Sequence, residues 1–196
     1  MSVSPATKTR SRNAAATRQA ILDAARRHFA RDSYECVGLR EIAGDVGVDP
    51  ALISRYFGGK EELFREVMRD ESSGTLFDGV TADELAGHLV TLILDGRRDC
   101  ENAAAHLDRL LIVLRSATSP KASAIVYEAI DEIILAPIAA RIDAPDARLR
   151  AGLTLTVLMG SGMVRNVMRL KSISLTEENA LRARLTALFE TALSAG

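Results

Sequence analysis

The segment Leu39–Lys60, LREIAGDVGVDPALISRYFGGK, constrains the fold of this chain more than any other part of the sequence. It predicts a short helix Leu39–Val46, a turn on Gly47, and a second helix opening at Asp49. Gly47 permits the positive φ that a tight turn between crossed helices needs. Asp49 is a good N-cap residue, and Pro50 suits the first helical position, where its missing N–H costs nothing. This pattern is typical of a helix-turn-helix, whose second helix can enter the major groove of DNA.

The outer face of the second helix separates this interpretation from a helical hairpin inside an ordinary bundle. A hairpin helix would carry apolar or long charged side chains there. This face instead offers small, polar or cationic residues, namely Pro50, Ala51, Ser54 and Arg55, with Tyr56 near its end. Small residues let the backbone approach base edges, Arg55 can pair with guanine or phosphate, and Ser54 can bond to either. DNA binding is therefore favoured over the hairpin.

The flanks of this segment resemble the amino-terminal domain of the tetracycline-repressor-like (TetR) family of bacterial transcription factors. The matching pieces are ILDAARRHFARDSYE, VGLREIAGDVGV, ALISRYF and GGKEELF. The resemblance covers the amino-terminal part closely and the remainder only in its all-helical layout. It implies an all-α fold in which a three-helix DNA-binding head joins a carboxy-terminal helical bundle that binds an effector and dimerises.

The same resemblance implies a set of DNA contacts at matching positions. Arg40 matches a position that often reaches a base or phosphate, and Tyr56 and Lys60 match positions that hold backbone phosphates. Gly38 and Gly59 depart from the family, because they replace residues that commonly supply a capping hydroxyl or amide. Ser54 likewise stands where a tyrosine is usual. The expected contacts are Arg40, Pro50, Ala51, Leu52, Ser54, Arg55, Tyr56 and Lys60.

Charge is distributed unevenly along the chain, although the formal net charge is only −1. Residues 1–60 carry ten Lys and Arg against six Asp and Glu, whereas residues 61–196 carry fifteen against twenty. A basic amino-terminal part suits contact with polyanionic DNA. We predict a disordered basic arm at 1–12, a helix-turn-helix domain at 13–59 and an effector-binding and dimerisation domain at 60–196. The arm can reach phosphates or the minor groove, or it is simply a solvated tail.

Beyond Gly79 every segment follows helical periodicity, with no alternating strand pattern. The predicted helix that ends near Ile138 is expected to be interrupted or bent at Pro137. The last helix is expected to open with a capping box of Thr176 with Asn179 or Glu178. The predicted helices are Ala14–Arg31, Lys60 to about Ser73, one whose first turn is Ala82–Glu84, Glu101–Ala117, Ser119 to about Ile138, Asp146–Lys171 and Thr176–Ala195.

The segment Asp146–Lys171 is apolar on nearly every face, and such a helix must be covered on all sides. A body of few helices cannot surround it, so a second subunit is expected on one side. A large monomeric core is the alternative. The resemblance implies a homodimer held by the last two helices of each subunit, and a two-fold dimer reads a palindromic operator. The expected interface residues are Leu153, Val157, Gly160, Val164, Val167, Leu181, Leu185 and Leu188.

The resemblance also implies a pocket for a small, mostly apolar effector within the remaining helices. Polar residues on apolar helices are candidates to line it, and methionines supply adaptable walls. Each candidate has a plainer interpretation, because a lone histidine is often a satisfied buried residue and a methionine is often core. The candidates are His88, His106, Tyr127, Met159, Met163 and Asn166.

No catalytic motif is present, so no enzymatic activity, metal or cofactor is predicted. The three histidines, His28, His88 and His106, form no HxxxH or HExxH pattern. Gly58-Gly59-Lys60 is followed by Glu61, where a phosphate-binding loop needs Ser or Thr. Gly160-Ser-Gly162 lacks the third glycine of a dinucleotide fingerprint.

The sequence also predicts a soluble cytoplasmic protein with reduced thiols and no membrane partner. Cys36 and Cys100 form no CxxC pair. The amino terminus lacks the apolar core of a signal peptide, and the uncharged stretch Ala151–Val164 is too short to span a bilayer.

These features together predict a homodimeric transcriptional regulator. It would be a repressor that a small effector releases from a palindromic double-stranded operator, although activation or dependence on a corepressor also stays open. The alternative is a helical ligand-binding or scaffold protein that no longer binds DNA. The sequence specifies neither the operator nor the effector nor the regulated genes.

Overall fold

A computed structural model describes residues 5–69, 75–94, 100–174 and 176–194, and within these ranges every side chain except those of residues 5–12, 100–106 and 174. The described ranges contain helices and turns but no strand, which confirms the all-α prediction. Two π-helical turns, Asp131–Leu135 and Met163–Val167, follow α7 and α9. The α-helices are α1 Pro5–Arg31, α2 Leu39–Val46, α3 Pro50–Phe57, α4 Lys60–Met68, α5 Leu85–Leu94, α6 Cys100–Ser116, α7 Pro120–Ile130, α8 Ala136–Ala139, α9 Ala147–Gly162, α10 Lys171–Ser174 and α11 Glu178–Leu193.

The chain divides into two compact units, and α6 and α7 each contribute residues to both. The first unit comprises the described residues up to Arg69 together with Leu111–Val126. The second comprises the described residues from Thr75 to Leu110 and from Tyr127 onward. This division differs from the single boundary expected near residue 60, because α4 and the turn between α6 and α7 fall within the first unit.

The first unit is built around an aromatic cluster of Phe29, Tyr34 and Phe64. The ring of Phe64 lies edge-on to both others, with centroids 4.8 Å from Phe29 and 5.0 Å from Tyr34. Edge-to-face pairs of this kind stabilise beyond the area that they bury. The cluster joins α1 to α4, and α1 also packs against α2, so both neighbours support the helix-turn-helix. Further buried residues are Ile21, Ala24, Ala25, Ile42, Ala43, Ile53, Phe57 and Leu63.

The core of the second unit forms where α11 packs against α5 and α9. Leu89 of α5 and Phe189 of α11 are fully buried there. The guanidinium of Arg141 donates hydrogen bonds to the backbone carbonyls of Phe77, Val80 and Pro137, which ties residues 75–80 to the end of α8. Other members of this core are Leu85, Ala86, Val90, Ile93, Leu94, Ile138, Ala151 and Leu185.

The segments predicted as the helices Ser119 to about Ile138 and Asp146–Lys171 each contain a π-helical turn. The helix predicted to be interrupted or bent at Pro137 contains the π-helical turn Asp131–Leu135 just before that residue, where a proline that lacks an N–H and whose ring clashes with the preceding turn disfavours regular α-helical bonding. The helix predicted over Asp146–Lys171 is shorter as an α-helix. It ends at Gly162 and continues as a π turn, in which Met168 N donates to Met163 O at 3.0 Å.

The structure differs from the sequence at two helix starts. α1 begins at Pro5 rather than near Ala14, because proline suits a first helical turn and the residues from Ala6 to Arg12 include no glycine or further proline that would end a helix. The residues predicted as the arm 1–12 are thus helical from Pro5, and residues 1–4 lie outside the described ranges. The cap of α11 is Glu177, whose carboxylate accepts from the backbone N–H groups of Asn179 and Ala180. The predicted capping box on Thr176 is wrong, because the Thr176 hydroxyl donates to Ser172 O instead.

Candidate nucleic-acid interface

The turn between α2 and α3 has the geometry that its sequence predicts. Gly47 ends α2 with a φ of 71°, a left-handed conformation that glycine adopts without strain. Val48 N then donates to Ala43 O at 3.0 Å, which satisfies a carbonyl at the end of α2. Asp49 caps α3 by accepting from Ala51 N at 2.8 Å, and Pro50 occupies the first helical position. The orientation of α3 is therefore specified by local chemistry.

One face of α3 anchors the helix and the other is open. Ile53 and Phe57 are 0% and 5% exposed, respectively, within the core of the first unit. Ala51, Ser54 and Arg55 are exposed, whereas the other predicted contacts on this helix are half-buried, namely Pro50, Leu52 and Tyr56. A helix held by its inner face presents the outer one in a fixed orientation, which groove recognition requires.

Two arginines of the helix-turn-helix have no partner in the part of the chain that the structure describes. Arg40 on α2 and Arg55 on α3 are both exposed, and neither forms an ion pair or hydrogen bond there. Elsewhere in the first unit, Arg18 pairs with Glu66 and its guanidinium lies 4.8 Å from the Phe57 ring centroid. The guanidinium groups of Arg40 and Arg55 are thus available to a DNA ligand.

Lys60, at the start of α4, is more enclosed than a typical surface lysine. Its Nζ donates to Glu35 O at 3.3 Å and lies 4.6 Å from the centroid of the Tyr34 ring. Burial lowers the pKa of Lys60, an effect that Glu35 partly opposes. Gly59 precedes it with a φ of 155°, a conformation that residues with a side chain rarely adopt. An ammonium group has three donors, so the contact with Glu35 leaves donors for a phosphate.

Two contacts of this unit escaped sequence reasoning. His28 is 4% exposed, with Nε2 2.9 Å from Asp45 Oδ2 and Nδ1 3.2 Å from an Arg31 nitrogen. Its helical spacing from Ile21 and Ala25 placed it on the buried face of α1, which was the available signal. The second contact joins Ser119 Oγ, as donor, to Glu35 Oε1 at 2.6 Å. The two residues are 84 positions apart in the sequence, and no local pattern links them.

The predicted effector-site residues lie in varied surroundings within the second unit. His88 Nε2 lies 2.7 Å from Leu76 O and its ring packs against Phe77, so this histidine already has a structural partner. Tyr127 is 64% exposed. Met159, Met163 and Asn166 are half-buried, and the side-chain oxygen of Asn166 is buried without a hydrogen-bond partner. The side chain of His106 lies outside the described residues.

The predicted interface residues divide by exposure. Leu153 and Leu188 are 50% and 53% exposed, respectively, and Gly160 is also exposed. Leu185 is buried in the core of its own subunit. Sequence reasoning did not include Leu149, which is 63% exposed one turn before Leu153. Val157, Val164, Val167 and Leu181 are half-buried.

Neither a metal centre nor a membrane-spanning helix is found in the described ranges. These residues contain no group of three His, Cys, Asp or Glu side chains that could hold a metal ion. None of their helices has both the length and the apolar character needed to cross a bilayer.

Comparison with known proteins gives matches over both parts of the chain. Residues 83–193 match the family profile described as tetracyclin repressor-like, C-terminal domain, and residues 21–67 match that of bacterial regulatory proteins, tetR family. The chain is 38% identical over 69 residues to the transcriptional regulator BetI of Rhizobium meliloti, covering 35% of this chain and 34% of that protein. It is 37% identical over 57 residues to the transcriptional repressor AcnR of Corynebacterium efficiens, covering 29% and 30%.

Similar solved structures extend over nearly the whole chain. A TetR-family regulator from Streptomyces coelicolor has 25% sequence identity and a TM-score of 0.55, covering 91% of this chain and 95% of its own. NalD, the secondary repressor of the MexAB-OprM multidrug efflux pump in Pseudomonas aeruginosa, has a TM-score of 0.68. The alignment with NalD covers 90% of this chain and 96% of that one, and its identity of 16% supports the fold alone.

Proposed function

Because the chain belongs to the TetR family of transcriptional regulators, we propose that it is a homodimeric repressor that a small, mostly apolar effector releases from a palindromic operator. It acts on DNA in the bacterial cytoplasm and has no enzymatic activity of its own. The observation that carries the DNA-binding part is the pair of exposed, unpartnered guanidinium groups of Arg40 and Arg55 on a rigidly supported helix-turn-helix. Arginine is the residue that most often reads guanine and that also binds phosphate.

The exposed apolar residues of α9 and α11 support the homodimer. Leu149 and Leu153 lie one helical turn apart on α9, and Leu188 lies on α11, all at least half exposed. Large apolar patches on a regulator of this size usually mark an interface with another protein chain. A second copy of the chain is the partner we propose, because a two-fold dimer matches a two-fold operator.

Release by an effector requires that the effector bind the free and the DNA-bound conformations with different affinity. The coupling is reciprocal, so the operator must weaken effector binding by the same factor. The half-buried Met159 and Met163 and the buried, unpartnered side-chain oxygen of Asn166 support an apolar effector with a hydrogen-bonding group.

The experiment that tests this function selects bound duplexes from a random DNA library and then measures affinity against salt. We expect a palindrome, with log Kd rising by about 0.9 per decade of salt for each phosphate neutralised. The double variant Arg40→Gln with Arg55→Gln should lose most of this affinity. Arg115→Gln with Lys121→Gln, which neutralises two exposed cations on α6 and α7, is the matched control. If folded wild-type protein enriches no sequence, the scaffold alternative replaces this proposal.

A further inference from the structure

We propose that Glu35 is a positioning residue for operator binding. Glu35 acts on Lys60, and Ser119, in the turn between α6 and α7, controls the position of the Glu35 carboxylate. When Ser119 holds the Glu35 carboxylate, Lys60 is free to bind a DNA phosphate. When Ser119 withdraws, the carboxylate can pair with Lys60 and compete with the phosphate. The inference rests on the proposed function, since Lys60 matters here as a DNA contact.

The contact between Ser119 and Glu35 is short and well defined. Ser119 is 4% exposed, and its hydroxyl donates to Glu35 Oε1 at 2.6 Å. Hydrogen bonds to a carboxylate are among the stronger ones in proteins. The same oxygen of Ser119 accepts from Ala122 N at 3.3 Å, so Ser119 also caps the start of α7. The hydroxyl is therefore fixed in place by the helix that it caps.

Glu35 contacts Lys60 through its backbone and not through its carboxylate. Glu35 O accepts from Lys60 Nζ at 3.3 Å, and no ion pair joins the two side chains. Tyr34, which is 5% exposed, supports the lysine from the other side with its ring. The ammonium therefore lies beside a carboxylate whose present partner is a serine. Losing that serine would leave Lys60 as the nearby cation on which the charge of Glu35 already acts.

Ser119 lies between two helices, α6 and α7, that both include residues of the second unit. Helix α6 includes residues of the second unit up to Leu110, and α7 includes residues of that unit from Tyr127 onward. The turn that carries Ser119 is thus the end of two helices that continue into the region proposed to bind the effector. A rotation or shift of either helix would move the turn that carries the Ser119 hydroxyl.

A double-mutant cycle on operator binding tests the proposal. Ser119→Asp keeps a good N-cap for α7 but repels Glu35 and releases its carboxylate. We expect the operator Kd to rise about threefold to tenfold more than in the control Ser123→Asp, within the range for coupled neighbours. Ser123 lies in the first turn of α7, and its hydroxyl donates to Pro120 O. The aspartate at this position therefore adds the same charge close to Ser119.

The excess rise in operator Kd of Ser119→Asp over Ser123→Asp should disappear when each substitution is made separately in a Lys60→Gln background. The slope of log Kd against log salt should also fall by up to about 0.9 in Ser119→Asp alone, as one phosphate contact is lost. A role of Ser119 in folding only would leave this slope unchanged. An equal excess in both backgrounds, or no excess in either, would overturn the proposal. If Ser119→Asp did not fold, Ser119→Ala makes the same comparison without an added charge, against Ser123→Ala.

The wild-type and Lys60→Gln proteins separate the two levels of inference. If wild type selects no operator, the proposed function fails and this inference fails with it. If wild type selects an operator but Lys60→Gln leaves the salt slope unchanged, the function stands. In that case Lys60 is not a phosphate contact, and the role assigned to Glu35 is overturned alone.

Discussion

Arg55 is exposed at the end of α3 and has no ion-pair or hydrogen-bond partner among the described residues. Its own helix is held by Ile53 and Phe57, so its position is specified although its side chain is free. Sequence alone predicted both halves of this arrangement, because helical spacing separates the buried face from the open one. Sequence could not predict the surroundings of Lys60, since they depend on where the loop containing Tyr34 and Glu35 lies.

Replacing Arg55 by alanine tests the residue-level assignment. We expect operator affinity to fall about tenfold, because a bidentate arginine contact contributes roughly 1–3 kcal/mol of base discrimination. Binding of unrelated duplexes should weaken much less if Arg55 reads a base. Fluorescence anisotropy with the selected operator and a scrambled duplex measures both quantities. Arg115→Ala, an exposed arginine on α6, is the control; an equal loss with both duplexes would reassign Arg55 to phosphate binding.

At the scale of elements, short-range chemistry decides where helices begin and end. Gly47 and Asp49 were predicted in their observed roles, since a cap or a turn involves neighbouring residues. The π-helical turn Met163–Val167 was not predicted, because apolar periodicity continues through it. The cap on Glu177 was also missed, since glutamate is not among the residues preferred at an N-cap, whereas the threonine before it is.

Two glycines of α2 should respond to alanine in opposite directions. Gly47→Ala places a side chain at a φ of 71°, which costs about 1–2 kcal/mol of unfolding free energy. Gly44 lies within the helix, and a Cβ there would meet nothing within 4 Å. Gly44→Ala should therefore stabilise by about 0.5–1 kcal/mol. Urea unfolding of both variants measures the difference, and two changes of the same sign would contradict this account of the turn.

Glu84 should give the second unit a pH-dependent contribution to stability. Hydrogen bonds from the backbone N–H and the hydroxyl of Thr81 lower the pKa of Glu84 below its ordinary 4.5. A carboxyl with a lowered folded-state pKa stabilises the fold above the unfolded-state value. That contribution is lost as pH falls through the folded-state pKa. The difference in melting temperature between wild type and Glu84→Gln should thus shrink from pH 7 towards pH 3; a constant difference would assign the effect to packing.

For the whole molecule, the sequence predicted the fold class and the family resemblance but not how the chain is shared between its compact units. The contact between Ser119 and Glu35 illustrates the reason. It joins residues 84 positions apart, and neither residue belongs to a periodic pattern that predicts a contact with the other. The expected interface residues include Leu185, which its own subunit buries, because an apolar helix does not reveal which face its own subunit covers.

Leu153→Glu tests the assembly. A charge at this half-exposed position of α9 should prevent burial against a second copy, because an unpaired buried charge is strongly unfavourable. We expect sedimentation to show a monomer and operator affinity to fall by more than tenfold, since one half-site is bound without the other. Leu114→Glu, at an exposed leucine of α6, is the control. A dimer that persists in Leu153→Glu would move the interface to another face.

The first unit includes Leu111–Val126 as well as the amino-terminal helices. This arrangement matters to anyone who recombines such regulators to give a sensor a new operator. A chimera joined only at the segment after α4 would transplant a head without the turn that contacts it, and a foreign residue would then face Glu35. Exchanging Leu111–Val126 together with the head keeps that contact native. The part of this protein that must be transferred with its DNA-binding helices is therefore discontinuous in sequence.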